Sequence, residues 1–491
     1  MMGVLAGLAS SLLTAIDWVV LGYLLLLNST YLLLILLASG EFTRYLRRAR
    51  FAGLDWLFAS PLTPAVSILV PAHNEEAGIV ESVHAALALR YPVFELVVID
   101  DGSTDATFER LRREFDLVEV PSVPSQEIPV AGPVRSTHLA RDGRPITVLR
   151  KASVGRKADA LNAGINAARY PLLCMVDADA LLDTDALLHV AKPFVDDPWR
   201  VVASGGIVRA ANGCRVERGR VVDVRLPRSW LLRVQITEYL RTFLLGRTAW
   251  ARLGSLLIIS GAFGLFRRDL VVEVGGLDPD TLGEDAELVV RLHRYLRRQR
   301  RDYRIVFVPE PICWTEIPAS LGPLARQRRR WSRGLVEILR KHRSLIGNPR
   351  YGRIGLLAMP YYVVFEAFAP VVEVVGFCAV LLGLGLGVVD GSFFVLFLLV
   401  AIGYGMLLSM VALTVEEFTF YRYPRWRDFA ATMAAALLEN LGYRQLNAWW
   451  RLRGLVSALR AHPHEWGAMN RTGFAQPADG HPARERPGRG P

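Results

Sequence analysis

Lysine is almost missing from this chain of 491 residues. Lys151, Lys157, Lys192 and Lys341 are the only four, although Lys and Arg together number 58. The positive charge is therefore arginine, a bias read first as genomic composition, and each lysine is worth separate attention. Cysteine is equally scarce. Cys174, Cys214, Cys313 and Cys378 stand far apart with no C-x-x-C pair, which excludes a disulfide framework and a structural zinc site and predicts buried free thiols. No internal repeat is present. A cleaved signal peptide is not expected, because Met1–Ala15 carries no positive charge and no small-residue cleavage site follows the first apolar run. What the chain does have is a net charge of +11 and a mean hydropathy of +0.26. Basic and apolar together suggest a membrane protein with a positive inner face.

The first apolar run, Trp18 to Leu37, has no charged residue and the length of a bilayer crossing. Arg44, Arg47, Arg48 and Arg50 follow it, so the positive-inside rule puts the next domain in the cytoplasm. Further apolar runs cover Ile354–Leu386 and Phe393–Thr414, separated by Val388–Ser392 with no Lys or Arg, an outside turn. Tyr421–Asp428 brings the chain back inside. A fourth run, Phe429–Trp450, contains Glu439, Asn440 and Arg444 and reads as an interfacial or bundle-packed helix. The expected organisation is a membrane helix with a basic flank (1–50), a soluble domain (64–318), an amphipathic interfacial helix (319–352), membrane and interfacial helices (353–450) and a basic, partly disordered tail (451–491). The expected location is the inner or plasma membrane.

Between Pro64 and Pro318 the pattern is α/β. Ala65–Ala72, Phe94–Asp101, Ile146–Lys151 and Pro171–Asp179 read as buried strands, with helices at Glu76–Leu89, Thr104–Glu114 and Arg156–Ala168. Such alternation predicts a parallel sheet covered on both faces, with ligands beyond the carboxyl ends of its strands. Val118–Arg144, rich in Pro, Gly and Ser, reads as an excursion with little structure.

The candidate chemistry sits where strands end. Asp100 and Asp101 close one strand before Gly102-Ser103-Thr104; they either cap the next helix or bind a ligand. Asp177 and Asp179 follow Leu172–Val176. Their spacing of two on extended chain points both carboxylates the same way, and two like charges so placed call for a cation such as Mg2+ or Mn2+, which bridges readily to a phosphate. Lys157 opens a helix, where the dipole disfavours a cation; that local cost suits a lysine aimed at a phosphate or sugar. Asn162 is a further polar candidate. Glu284 and Asp285 lie in the first turn of another helix, where acids also serve stability; the functional alternative is a general base for a hydroxyl acceptor.

"LARQRRRWSRGLVEILRKH" begins at Leu324. On a helix Gln327, Arg330 and Trp331 share one face, while Arg328 and Arg329 point elsewhere. A charge anchor for the lipid bilayer needs no Gln and Trp on a common face; a site for a departing phosphate and a sugar does. The other arginines suit a surface helix at the anionic inner leaflet, which leaves no nucleic-acid partner to invoke.

In order, "PAHNEE", "DDGSTD", "GRKADALN", "DAD", "SGAFGLFRRD", "GEDAE" and "QRRRW" resemble the processive, membrane-embedded family 2 glycosyltransferases, the group of cellulose, chitin, hyaluronan and poly-N-acetylglucosamine synthases. The resemblance spans about Ala65 to Trp331. It implies a GT-A (Rossmann-like) fold, inserted between transmembrane and interfacial helices, and a divalent metal. It also implies that Asp100 or Asp101 contacts the uridine and that Asp177 and Asp179 hold the diphosphate through Mg2+ or Mn2+. Lys157 would assist at the donor, and Gln327, Arg330 and Trp331 would bind diphosphate and acceptor. Asp285, beside Glu284, would be the catalytic base, with Arg330 steadying the leaving group. Ser260, Gly261 and Phe263 would belong to an acceptor-side strand. Gly283 stands where the family usually has Thr. The implied function is inverting transfer of a hexose or N-acetylhexosamine from a UDP-sugar donor to a growing glycan, with coupled export and an accessory export or regulatory subunit. The alternatives are a non-processive transferase acting on a lipid carrier and an inactive membrane scaffold or receptor.

Overall fold

The computed structural model describes residues 2–49, 53–121, 125–217, 219–420 and 426–460. The basic tail beyond 460 and the expected inside turn at 421–425 fall outside them, as does Arg50.

The described residues include twelve strands: β1 (Val66–Ala72), β2 (Phe94–Asp101), β3 (Leu117–Val120), β4 (Val134–Ala140), β5 (Ile146–Lys151), β6 (Leu172–Val176), β7 (Ala180–Leu182), β8 (Val201–Ala210), β9 (Arg215–Glu217), β10 (Arg220–Asp223), β11 (Phe263–Arg267) and β12 (Arg304–Thr315). Ten form one sheet in the order β3-β4-β5-β2-β1-β6-β11-β8-β12-β7, and β9 and β10 form a separate hairpin. Strands β5, β2, β1 and β6 run parallel, but β11 is antiparallel to both β6 and β8. The sheet is therefore mixed, not wholly parallel. The segment expected to lack structure instead supplies β3 and β4, an antiparallel extension beyond β5.

Alternation sends successive side chains to opposite faces. Ile68, Val98 and Cys174 pack on one face; Leu69, Val97 and Met175 pack on the other, in the same apolar cluster as Leu34, Ile35 and Phe42 of the first helix, Met2–Ala49. The α/β domain and the membrane helices thus share a core. Among the described residues three helical spans are long and apolar enough to cross a bilayer: Ser10–Tyr45, Ile354–Gly385 and Gly391–Phe418. The fourth run forms Trp426–Leu438 and Arg444–Leu459, separated by non-helical Leu441 and Gly442. The second of these lies along the basic helix Leu321–Lys341, so closely that a Cβ on Gly454 would stand 2.6 Å from the Arg329 carbonyl oxygen.

Candidate active site

The carboxyl ends of β1, β2, β5 and β6 lie along one edge, with Asp100 opposite Ala72 and Asp101 opposite Lys151. Asp101 is fully buried: its carboxylate accepts from Lys151 Nζ at 2.6 Å and Ser153 Oγ at 3.0 Å, and the same ammonium reaches Asp159 at 2.8 Å. Lys151 has no side-chain exposure, so this three-residue ion pair is a rigid peg under the turn. Asp100 accepts from the Ser103 N–H at 3.0 Å, with Arg150 Nε 3.5 Å away. Both acids are engaged locally and neither borders the central cavity.

That cavity, of about 500 Å3, is bordered by Lys157, Asp177, Asp179, Glu284 and Asp285. Lys157 Nζ donates to Asp177 at 2.5 Å and stands 3.8 Å from Glu284. Burial works against this ammonium, yet the facing carboxylates of Asp177 and Glu284 hold its pKa above the usual lysine value. Burial, with the charge of Asp177 added, pushes the Asp179 carboxyl up to about 7. Among the described residues no three His, Cys, Asp or Glu side chains gather into a ready metal cage. Two carboxylate oxygens at a cavity still fit a hard cation that completes its shell from a diphosphate and water.

Asp285 is fixed by two N–H donors, Gly261 at 2.7 Å and Ala286 at 2.8 Å. Glycine leaves room for the first: a Cβ on Gly261 would stand 3.1 Å from Asp285 Oδ2 and 3.3 Å from Lys157 Nζ, and both would have to give by a few tenths of an ångström. Gly283 has a similar reason. A Cβ there would lie 3.2 Å from Ile338 Cδ1, and one on Gly334 would lie 3.1 Å from the Gly283 nitrogen, so the acidic turn and the basic helix touch through two glycines. A threonine at 283 would crowd that contact.

Gln327, Arg330 and Trp331 border the cavity, as do Ser260 and Gly261. Phe263 does not; it is fully buried in β11, packed in the core with Cys174 and Leu265. Its expected place at the acceptor is corrected by the alternation of the strand. Arg328 is also corrected. It is buried and pairs through both guanidinium ends with Glu238, at 2.9 and 2.8 Å, while Tyr443 OH donates to the same carboxylate at 3.0 Å. Its guanidinium lies 4.7 Å from the Trp331 ring centroid. It supports the Trp from beneath and is not a surface charge. Glu238 and Lys151 escaped sequence reasoning. Their only local signals are a lone acid in an apolar helix and a lysine in a lysine-poor chain.

Two family descriptions match consecutive parts of the chain: "Glycosyl transferase family 2" over residues 67–120 and "Glycosyltransferase like family 2" over residues 133–334. Residues 67–334 form a family 2 glycosyltransferase domain. The chain is 29% identical over 274 residues to a poly-β-1,6-N-acetyl-D-glucosamine synthase of Staphylococcus aureus, covering 56% of this chain and 55% of that protein. The corresponding synthase of Staphylococcus epidermidis is 28% identical over 280 residues, again covering 56% and 55%. The match thus spans about half the length of these curated relatives. In fold, the chain resembles a mannosyltransferase from Pyrobaculum calidifontis solved with GDP-Man and Mn2+, with a TM-score of 0.51 at 19% identity, covering 87% of this chain and 99% of that one.

Beyond Trp331 the cavity continues among the apolar helices, past Tyr362 and Phe365 to Asn28 and Tyr31 of the first helix. Ion pairs lie between helices at this depth: Arg444 with Glu373 at 2.8 Å and Arg451 with Glu366 at 3.0 Å. Charges within a membrane bundle characteristically face one another or a polar path.

Proposed function

We propose that this chain transfers a hexose or N-acetylhexosamine from a UDP-sugar to a growing glycan, with inversion, on the cytoplasmic face of the membrane. N-acetylglucosamine is the sugar named for its relatives, and it is the preferred donor sugar in this reading. The observation that carries the proposal is the single cavity that joins Asp177, Asp179 and Lys157, the doubly anchored Asp285, and Trp331.

In this reading Asp285 takes the proton of the acceptor hydroxyl, and the two N–H groups hold its carboxylate in line. Asp177 and Asp179 would hold Mg2+ or Mn2+, which neutralises charge developing on the leaving diphosphate. Lys157 and Arg330 flank the same charge; preorganised groups of this kind contribute about 3 kcal/mol each. Trp331, braced by Arg328, gives the acceptor sugar a flat stacking face. The cavity among the membrane helices supports export of the product, and it favours a polymer over a single transfer to a lipid carrier.

The test is UDP release by the full chain in membranes, screened over UDP-glucose, UDP-GlcNAc, UDP-galactose and UDP-glucuronate, with the product sized and its anomeric configuration read by NMR. Release from one donor with a β-linked polymer is expected. No release from any donor overturns the reading, and a product of one added sugar removes the polymerase part of it.

A further inference from the structure

Arg247 begins the short helix Arg247–Arg252, just after a wide i→i+5 turn at Leu240–Gly246. It is only 9% exposed, and its guanidinium lies over Phe243, 4.3 Å from the ring centroid. No hydrogen-bond acceptor among the described residues meets it, and its Nη1 is sealed without a partner. Neighbouring arginines differ. Arg241 is paired with Glu439 at 2.6 Å, and Arg328 with Glu238. Arginine cannot shed its proton, so burial without an acceptor is a standing cost that a ligand can relieve. Arg247 borders the same cavity as Asp285 and Trp331.

A second unmet group borders that cavity. The Gln327 side chain is hydrogen-bonded with Tyr239, and its carbonyl oxygen is buried with no donor placed on it. Arg247 and Trp331 are joined through one aromatic wall, in which the Phe243 centroid is 4.4 Å from that of Tyr239 and 6.0 Å from that of Trp331. One side of the wall lacks an acceptor and the other lacks a donor. A carboxylate offers no donor for Gln327, and it would add to the acids already on this cavity, Asp177, Asp179, Glu284 and Asp285. An acetamido group offers a carbonyl and an N–H in one rigid plane.

We infer that Arg247 and Gln327 form a subsite for the acetamido group of a 2-acetamido sugar in the acceptor chain. The inference rests on the acceptor side of the proposed function and adds the residue that reads the sugar there.

The test uses the full chain in detergent. Tetrasaccharides of N-acetylglucosamine, glucose and glucuronate, in both 1→4 and 1→6 series, are titrated calorimetrically into the wild type and Arg247→Met. The N-acetylated oligomer is expected to bind about tenfold more tightly than the glucose oligomer, the factor one charge-assisted hydrogen bond supplies. Arg247→Met should remove that preference. It should also raise the thermal midpoint of the ligand-free protein, because a buried unpaired charge is gone; an arginine with a purely structural role would lower it. Equal affinity for the N-acetylated and glucose oligomers, tightest binding of the glucuronate oligomer, or a variant that keeps the preference overturns the subsite. UDP release from UDP-GlcNAc is measured alongside. Preference without release leaves the subsite standing and removes the transferase reading, whereas release without preference removes the subsite alone.

Discussion

The Gly261 N–H donates to the Asp285 carboxylate at 2.7 Å, and a methyl group at 261 would stand 3.1 Å from that same oxygen. A side chain at 261 fits only if the carboxylate gives by a few tenths of an ångström. Gly261→Ala is therefore expected to displace both Asp285 and the Lys157 ammonium, which would be 3.3 Å away. A misplacement of about 1 Å costs about 100-fold in turnover, and the few tenths of an ångström required here should cost roughly threefold to tenfold. UDP binding should weaken less than kcat falls, because Lys157 is only one of the groups proposed to meet the diphosphate. Steady-state kcat with calorimetric UDP binding checks this; wild-type kcat in the alanine variant would show that the contact does not set the base.

Asp285→Asn keeps an oxygen for the Gly261 N–H but cannot take a proton. Turnover should fall by roughly 100- to 10,000-fold, in kcat and not in donor binding. A lowered thermal midpoint with turnover per folded molecule unchanged would instead assign Asp285 to helix stability alone.

The strand-end acids were legible because buried parallel strands are unbroken apolar runs, and a carboxylate at the end of such a run has few other uses. β3 and β4 were not, because the sheet is half-exposed at this end: Glu119 and Arg135 interrupt the pattern, and prolines at 121, 129 and 133 suggest a loop. Pairings distant in sequence were invisible. Arg328 meets a Glu ninety residues earlier, and Lys151 meets Asp101 fifty residues earlier; no local spacing encodes either. Helical periodicity put Gln327 and Trp331 together correctly but could not show that Arg328 also turns inward.

Asp179 should make metal binding sensitive to pH. Its carboxyl is raised from 3.8 to about 7 by burial and by Asp177. Between those values the folded protein holds a proton that the unfolded chain releases. From this group the metal-free protein is accordingly most stable below pH 3.8 and loses that advantage progressively as pH rises from 3.8 to about 7. A divalent cation needs the carboxylate and must displace the proton. The Mn2+-induced rise in thermal midpoint should be larger at pH 8 than at pH 6, with apparent affinity falling about tenfold per pH unit below 7. Asp179→Asn should abolish the Mn2+ shift and its pH dependence, and EDTA should stop turnover of the wild type. Equal Mn2+ shifts at both pH values in the wild type would remove Asp179 from the metal site.

The arginines of the basic helix should not be equivalent. Arg328 is buried against Glu238, whereas Arg329 is part-exposed and bonds only the Ala325 carbonyl, at 3.3 Å, among the described residues. Removing one member of a buried pair leaves an uncompensated charge, at a cost of about 3–5 kcal/mol; an exposed arginine is worth about 0–1 kcal/mol. Arg328→Ala should therefore lower the thermal midpoint and turnover far more than Arg329→Ala, and added salt should not narrow the gap, because a buried pair is poorly screened. Arg330→Ala should behave differently again, losing kcat with the midpoint held, since it borders the cavity. Pairing Arg328→Met with Glu238→Gln should recover much of the lost stability by removing both charges. It should not recover full turnover, because Trp331 would still lack the guanidinium 4.7 Å from its ring. Equal, salt-sensitive losses at positions 328, 329 and 330 would return the whole segment to a role as a surface anchor.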